Sequence, residues 1–300
     1  MIKPFFRNLL GLAVFTLAVS GCGAPEPISA ERYIETDQMV DQIKQNLAGS
    51  SRLTKVVDID HSRLGQQAGS PMPPAKVVIF SDAELETKLI QQNPLVALEL
   101  PMRVLAFEDT QDSISKVIFN SFDYLAARFQ LDAGNAKELG QRYQAGISEA
   151  IEGIAASSIA SFPSNEMNPD GIITIESPYG FEETIERVNV AINAQDDTMH
   201  FGVVDFQANA RALGVEIAPS HMILFGGPGP GGKAMVEAAT LGLDGFCQKF
   251  LIWEDSDGRI KLSFNDLLAL ADRQGVKTSL PLRVINYRLN KTFSDALADN

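Results

Sequence analysis

Asp60-His61 sets a carboxylate beside an imidazole, a pair able to orient the ring for acid–base work or for holding a ligand. The run Gly227-Pro228-Gly229-Pro230-Gly231-Gly232-Lys233-Ala234 nearly spells G-x-x-x-x-G-K-[ST], and Phe250–Asp255 imitates the acidic strand that accompanies that motif. A phosphate cradle, however, needs successive backbone N–H donors, and Pro228 and Pro230 each remove one. Ala234 also stands where the Mg²⁺-holding hydroxyl belongs, so the run reads as a surface loop and no nucleotide is expected. His200 and His221 fall on different predicted strands without a third ligand, so no metal is expected. Cys247, flanked by apolar residues, reads as a buried thiol. Glu108-Asp109 and Glu254-Asp255 end strands before hairpin turns, where polar residues are ordinary boundary markers. No Gly-x-Ser-x-Gly, His-Glu-x-x-His or Ser-x-x-Lys arrangement occurs, so no catalytic residue and no cofactor is assigned.

The N-terminus carries a different chemistry. Lys3 and Arg7 precede an apolar run from Leu9 to Val19, too short for the roughly 20 residues that cross a bilayer but suited to a signal peptide. Val19-Ser20-Gly21-Cys22 resembles the bacterial lipobox. That resemblance implies cleavage after residue 21, a diacylglyceryl group on the Cys22 thiol and a palmitate-type acyl chain on the new amine. Several chains at about 0.8 kcal/mol per buried CH₂ would anchor the protein to membrane lipid. Residues 22–32 then read as a tether. The expected location is the bacterial cell envelope, on the outer membrane facing the periplasm if the host is Gram-negative.

Composition narrows the partners. The chain has 300 residues, 45% hydrophobic and 21% charged, with a mean hydropathy of zero. A net charge of −13, which becomes −15 once Lys3 and Arg7 are removed with the signal peptide, argues against nucleic acid as a partner. Two cysteines exclude a disulfide scaffold.

An internal repeat organises the rest. At an offset of 145 residues Asp60 matches Asp205, Gly69 matches Gly214, Pro74 matches Pro219 and Phe80 matches Phe225. Phe119-Asn120 returns as Phe264-Asn265, and Leu125-Ala126-x-Arg128 as Leu270-Ala271-x-Arg273. Phe107-Glu108-Asp109 corresponds to Trp253-Glu254-Asp255, shifted by one residue. The expected organisation is a first repeat at 33–131, a helical connector at 132–170, a second repeat at 171–275 and a tail at 276–300.

These elements must position the candidates. Hydrophobic spacing predicts strand–helix–two strands–helix–two strands–helix in each copy, an antiparallel α+β layer arrangement. Leu139, Tyr143, Ile147, Ile151 and Ile154 predict a long connecting helix over about 135–160. The tail is expected to add a strand over Val284–Leu289 and then fray. The two copies are expected to pack on each other as an intramolecular pseudo-dimer.

The repeated residues carry a family resemblance. Ile59-Asp60-His61, Gly69, Pro74, Val77–Phe80, Pro94–Arg103 and Phe107-Glu108-Asp109 resemble the bacterial family called domain of unknown function 302. The second copy keeps Asp205, Gly214, Pro219, Phe225-Gly226-Gly227-Pro228 and Trp253-Glu254-Asp255. The resemblance implies a TATA-box-binding-protein-like α+β fold, an antiparallel sheet with helices on one face, and no established activity. Where the family has Phe-Gly-Asn-Pro the first copy reads Phe80-Ser81-Asp82-Ala83; where it has Asp-His the second reads Asp205-Phe206.

The leading expectation is a lipid-anchored, non-enzymatic binding or interaction module. The alternative is a small-ligand binder or enzyme with a cleft between the repeats, using Asp60, His61 and Arg103. A third reading is a scaffold for an envelope protein partner.

Overall fold

The computed structural model describes residues 26–163, 166 and 171–298; the expected signal peptide and Cys22 lie outside the described residues. The first repeat begins with a 3-10 turn at Ala30–Tyr33 that runs into α1 (Ile34–Gly49). Val40, Ile43 and Leu47 of α1 are buried at the three- and four-residue spacing of one helix face. β1 (Thr54–Asp60), α2 (His61–Gln67), β2 (Ala75–Ser81), α3 (Ala83–Gln92), β3 (Met102–Glu108), β4 (Ser115–Ile118), α4 (Phe122–Phe129) and α5 (Ala133–Ala150) follow. The second repeat comprises β5 (Ile172–Ser177), α6 (Phe181–Asn193), β6 (Met199–Asp205), α7 (Phe206–Ala212) and β7 (Ser220–Gly226). It continues through α8 (Pro228–Met235), β8 (Gln248–Glu254), β9 (Ile260–Asn265), α9 (Leu267–Arg273) and α10 (Leu280–Ala296). Both sheets are antiparallel throughout, ordered β1-β2-β3-β4 and β5-β9-β8-β7-β6. The fold is mixed α+β, built twice.

Four expectations change, the simplest being that the connecting helix expected over about 135–160 ends at Ala150. Among the described residues the first repeat has no counterpart of β5, so its sheet has four strands against five in the second. The Gly-Pro run is helix rather than surface loop: α8 starts at Pro228, where proline's fixed φ suits the first helical turn, and Gly231, Gly232, Ala234 and Met235 are buried. The C-terminal segment is α10 rather than a strand over Val284–Leu289. Its buried Leu282, Asn286, Leu289 and Phe293 follow helical rather than alternating spacing. α10 is the second copy of α5: Tyr143, Ile147 and Ile151 correspond to Leu289, Phe293 and Leu297, all buried.

Each repeat covers one face of the other's sheet. α1 packs on the first sheet and α6 on β8. The 3-10 turn Ala239–Gly242 of the second repeat packs on β2 and β3, while the equivalent turn Pro94–Glu99 of the first packs on β8 and β9. Alternation along β3 makes the division explicit: Met102 meets Gly146 of α5, whereas Arg103 and Leu105 meet Asp244 and Gly242 of the other repeat. With both faces covered, β3 is buried at every position, and β8 at all but Glu254.

Candidate functional site

The structure separates the Asp60-His61 pair into two roles. Asp60 ends β1 and caps α2: its Oδ1 accepts from the Arg63 N–H (2.9 Å) and the Ser62 hydroxyl (3.0 Å). Its Oδ2 accepts from Arg63 Nη1 (2.6 Å) and lies 3.2 Å from Lys76 Nζ. Asp205 caps α7 through the Ala208 N–H (2.8 Å) in the same way, so the repeated Asp is explained by a repeated helix start. Gly69 and Gly214 close the same two helical segments at φ +73° and +75°, the left-handed region that favours glycine. His61 points across the inter-repeat boundary, with Nε2 3.0 Å from the Gly242 carbonyl. Burial holds its pKa down at about 4, so the ring is neutral and Nε2–H donates to that carbonyl. His61 also lines a small, partly open pocket of about 20 Å³ with Leu64, Phe201, Gly227, Met235 and Phe246.

Arg103 lies in a different place, the centre of a buried polar cluster shared by the repeats. Its Nε donates to the Leu243 carbonyl (2.9 Å) and to Asp244 Oδ1 (3.1 Å). Nη1 donates to the carbonyls of Glu99 (2.9 Å) and Pro101 (3.3 Å), and Nη2 to both the Glu99 and Asp244 carboxylates. Arg128 pairs with Glu99 and donates to Asn265 Oδ1 (2.7 Å). Asn120 Nδ2 donates to Glu99 and Asp244, 3.0 Å each, while its Oδ1 accepts from Arg273 Nη1 (2.8 Å). The Arg273 guanidinium stacks 3.5 Å from the Tyr124 ring centroid. Lys249 Nζ stands 3.8 Å from Asp244 Oδ1.

The cluster obeys the repeat. Glu99 corresponds to Asp244, Arg103 to Lys249, Asn120 to Asn265 and Arg128 to Arg273. None of the six charged side chains is more than 5% exposed, and four cations face two carboxylates. Burial opposes ionisation of Glu99 and Asp244, yet Arg103 and Lys249 hold both carboxyls below their ordinary range. Burial, and then Arg103, pull Lys249 down to about 8. Among the described residues Lys249 Nζ, Asn265 Nδ2, and Arg273 Nε and Nη2 are buried without a hydrogen-bond acceptor, and the Gln274 Oε1 acceptor is buried without a donor.

The remaining sequence candidates are dispersed. His200 bonds Asn193 Oδ1 (3.1 Å) near one end of the β6–β7 ladder, and His221 pairs with Asp205 at the other. Among the described residues no group of three or more His, Cys, Asp or Glu side chains is placed to hold a metal ion. Cys247 is buried, and burial pushes its thiol up to about 12. Glu108 takes a two-point contact from Arg32, while Asp109 and Asp255 order their turns and pair with Lys116 and Lys261.

The family model described as "Domain of unknown function DUF302" matches residues 29–151 and again 173–294. The chain belongs to the DUF302 family. Each DUF302 match includes the closing helix, α5 or most of α10. Two curated proteins, from Brucella suis biovar 1 (strain 1330) and Brucella abortus biovar 1 (strain 9-941), bear the name Fluoride-specific ion channel FluC 1. Both are 38% identical to this chain over 110 residues, 36% of its length. The chain covers only 42% and 40% of those relatives. Among the described residues no helix is long and apolar enough to cross a membrane. A crystal structure of an uncharacterized conserved DUF302 protein from Bacillus stearothermophilus is similar at 16% identity and a TM-score of 0.36, over 43% of this chain and 96% of that one.

The departures from the DUF302 pattern acquire a structural reading. Asp82, in the altered Phe80-Ser81-Asp82-Ala83, caps α3 through the Leu85 N–H (3.2 Å). It also takes the Nε/Nη2 edge of Arg142 (2.8 and 2.7 Å), tying α3 to α5. Sequence reasoning singled out Arg103 but passed over the rest of the cluster. The signal was present: Asn120/Asn265 and Arg128/Arg273 repeat inside otherwise apolar surroundings, where a polar match needs a buried partner.

Proposed function

We propose that this DUF302 chain is a non-enzymatic binding module whose ligand site is the polar cluster between its two repeats, and that acylated Cys22 tethers it to a cell-envelope membrane. The cluster carries the first part. Desolvating an ion costs several kcal/mol, and apolar replacement of a buried ion pair is often neutral or stabilising, so packing alone gives little reason for six charged groups here. Four cations against two carboxylates, with donors left over, have the composition of a site. The lipobox-like Val19-Ser20-Gly21-Cys22 supports the second part. If Cys22→Ser leaves metabolic palmitate labelling and membrane fractionation unaltered, the tether is wrong. Full-length protein screened by thermal melting should gain stability from a ligand that wild type binds and cluster variants do not. No such ligand in a broad screen would remove the binding reading.

The alternative, a small-ligand enzyme using Asp60 and His61, has in its favour only the pocket beside His61, which has room for little more than one water. Against it, the Asp60 carboxylate is engaged by Arg63 and Lys76, and the His61 Nε2–H is engaged by Gly242.

A further inference from the structure

The two halves of the cluster are unequal. Arg103 makes six hydrogen bonds, whereas its repeat counterpart Lys249 Nζ makes none among the described residues. Asn120 Nδ2 reaches two carboxylates, whereas Asn265 Nδ2 reaches no acceptor among the described residues. The cause is side-chain length: Asp244 is one methylene shorter than Glu99, and Lys249 has one amine where Arg103 has a fork of donors. Arg273 adds a third imbalance. Arg103 and Arg142 each present their Nε/Nη2 edge to a carboxylate, but that edge of the buried Arg273 meets no acceptor among the described residues.

We infer that the second-repeat half of this cluster binds a halide-sized anion through Lys249 Nζ, Asn265 Nδ2 and the Nε/Nη2 edge of Arg273. This rests on the reading of the cluster as a ligand site and names its ligand class. The unpartnered donors of the cluster lie on the second-repeat side beside one unpartnered acceptor, Gln274 Oε1, and the local formal charge is positive, which favours an anion. Burial selects a small one, since the cluster side chains are at most 5% exposed and shortened on that side. A halide accepts N–H groups without the fixed directions an oxyanion demands, and Lys249 and Asn265 lie on adjacent strands, each two residues beyond the Leu251–Ser263 pair. Fluoride and chloride have this chemistry in common, and the test takes both.

The test uses full-length protein in detergent, melted in fluoride, chloride, nitrate, sulfate or gluconate at constant ionic strength. Fluoride or chloride should raise the midpoint saturably while sulfate and gluconate do not. Lys249→Met should raise the half-maximal halide concentration at least about tenfold, as expected on losing one charge-assisted hydrogen bond. Asn265→Asp keeps the acceptor for Arg128 and adds a fixed negative charge, so it should melt higher and lose the halide response. Halide affinity, followed by ¹⁹F or ³⁵Cl line broadening, should weaken as pH rises through about 8, where Lys249 loses its proton among Glu99, Arg103, Asp244 and Cys247. No halide response in wild type overturns the inference, as does one unchanged in both variants. If nitrate or an organic acid instead shows a Lys249-dependent shift, the site reading stands and the halide assignment falls. If no anion acts and both variants melt higher than wild type, both fall.

Discussion

Gly65 of α2 and Gly232 of α8 bring the backbones of the two repeats into contact. A Cβ on Gly232 would stand 2.4 Å from the Ser70 carbonyl oxygen and 3.3 Å from Gly65 Cα; one on Gly65 would stand 2.8 Å from the same oxygen. The obstructing atoms are backbone and cannot rotate away. Gly232→Ala should therefore cost about 1–3 kcal/mol by overpacking, read as a lower urea midpoint. Gly202→Ala, with nothing within 4 Å, should be near neutral.

Lys249 makes stability rise at alkaline pH. Its folded pKa of about 8 lies below the ordinary 10.5, so between those values the unfolded chain holds the proton that the folded chain has released. Unfolding then takes up a proton, and stability increases with pH across that window by up to about 3 kcal/mol. Lys249→Met should remove this increment, seen as a smaller change in unfolding free energy between pH 8 and 10.5.

His61 acts at the acid end. With a folded pKa of about 4 against 6.5, the unfolded state protonates first as pH falls, and stability drops between 6.5 and 4. His61→Gln retains a donor toward Gly242 and lacks the proton, so its melting midpoint should fall less steeply over that interval.

Glu86 works in the opposite sense. Burial raises its pKa to about 7 from 4.5; the Ser81 hydroxyl donates to Oε2 (2.7 Å), and Oε1 has no partner among the described residues. The folded state holds a proton that the unfolded state has lost, so stability declines as pH rises from 4.5 through 7. Glu86→Gln should match wild type near pH 4.5 and exceed it at pH 8 by up to about 3 kcal/mol in chemical denaturation.

Sequence reasoning reached the doubled α+β architecture because Asp, Gly, Pro and aromatic matches recurred in order, and those matches mark helix starts, helix ends and core. It misread α8 because glycine and proline suggest a loop when only local propensity is weighed; the close approach to Ser70 and Gly65 that demands glycine is tertiary. It misread α10 because Val284, Ile285 and Asn286 favour a strand or a turn locally, whereas burial of Leu282, Leu289 and Phe293 selects the helix. At the site, Arg103 was visible as a charge inside an apolar stretch. Its partner Asp244 was not, because the two are distant in sequence and meet only when the repeats pack.

Reciprocal cover of the two sheets has a consequence for biogenesis. The first repeat leaves the ribosome with its β2–β3 face still lacking the turn Ala239–Gly242, and waits with apolar surface bare until the second emerges. A half-finished chain is thus adhesive, able to capture another chain's second half. Keeping both halves on one polypeptide places the correct mate at high effective concentration and lets covalent linkage, rather than added affinity, decide the pairing.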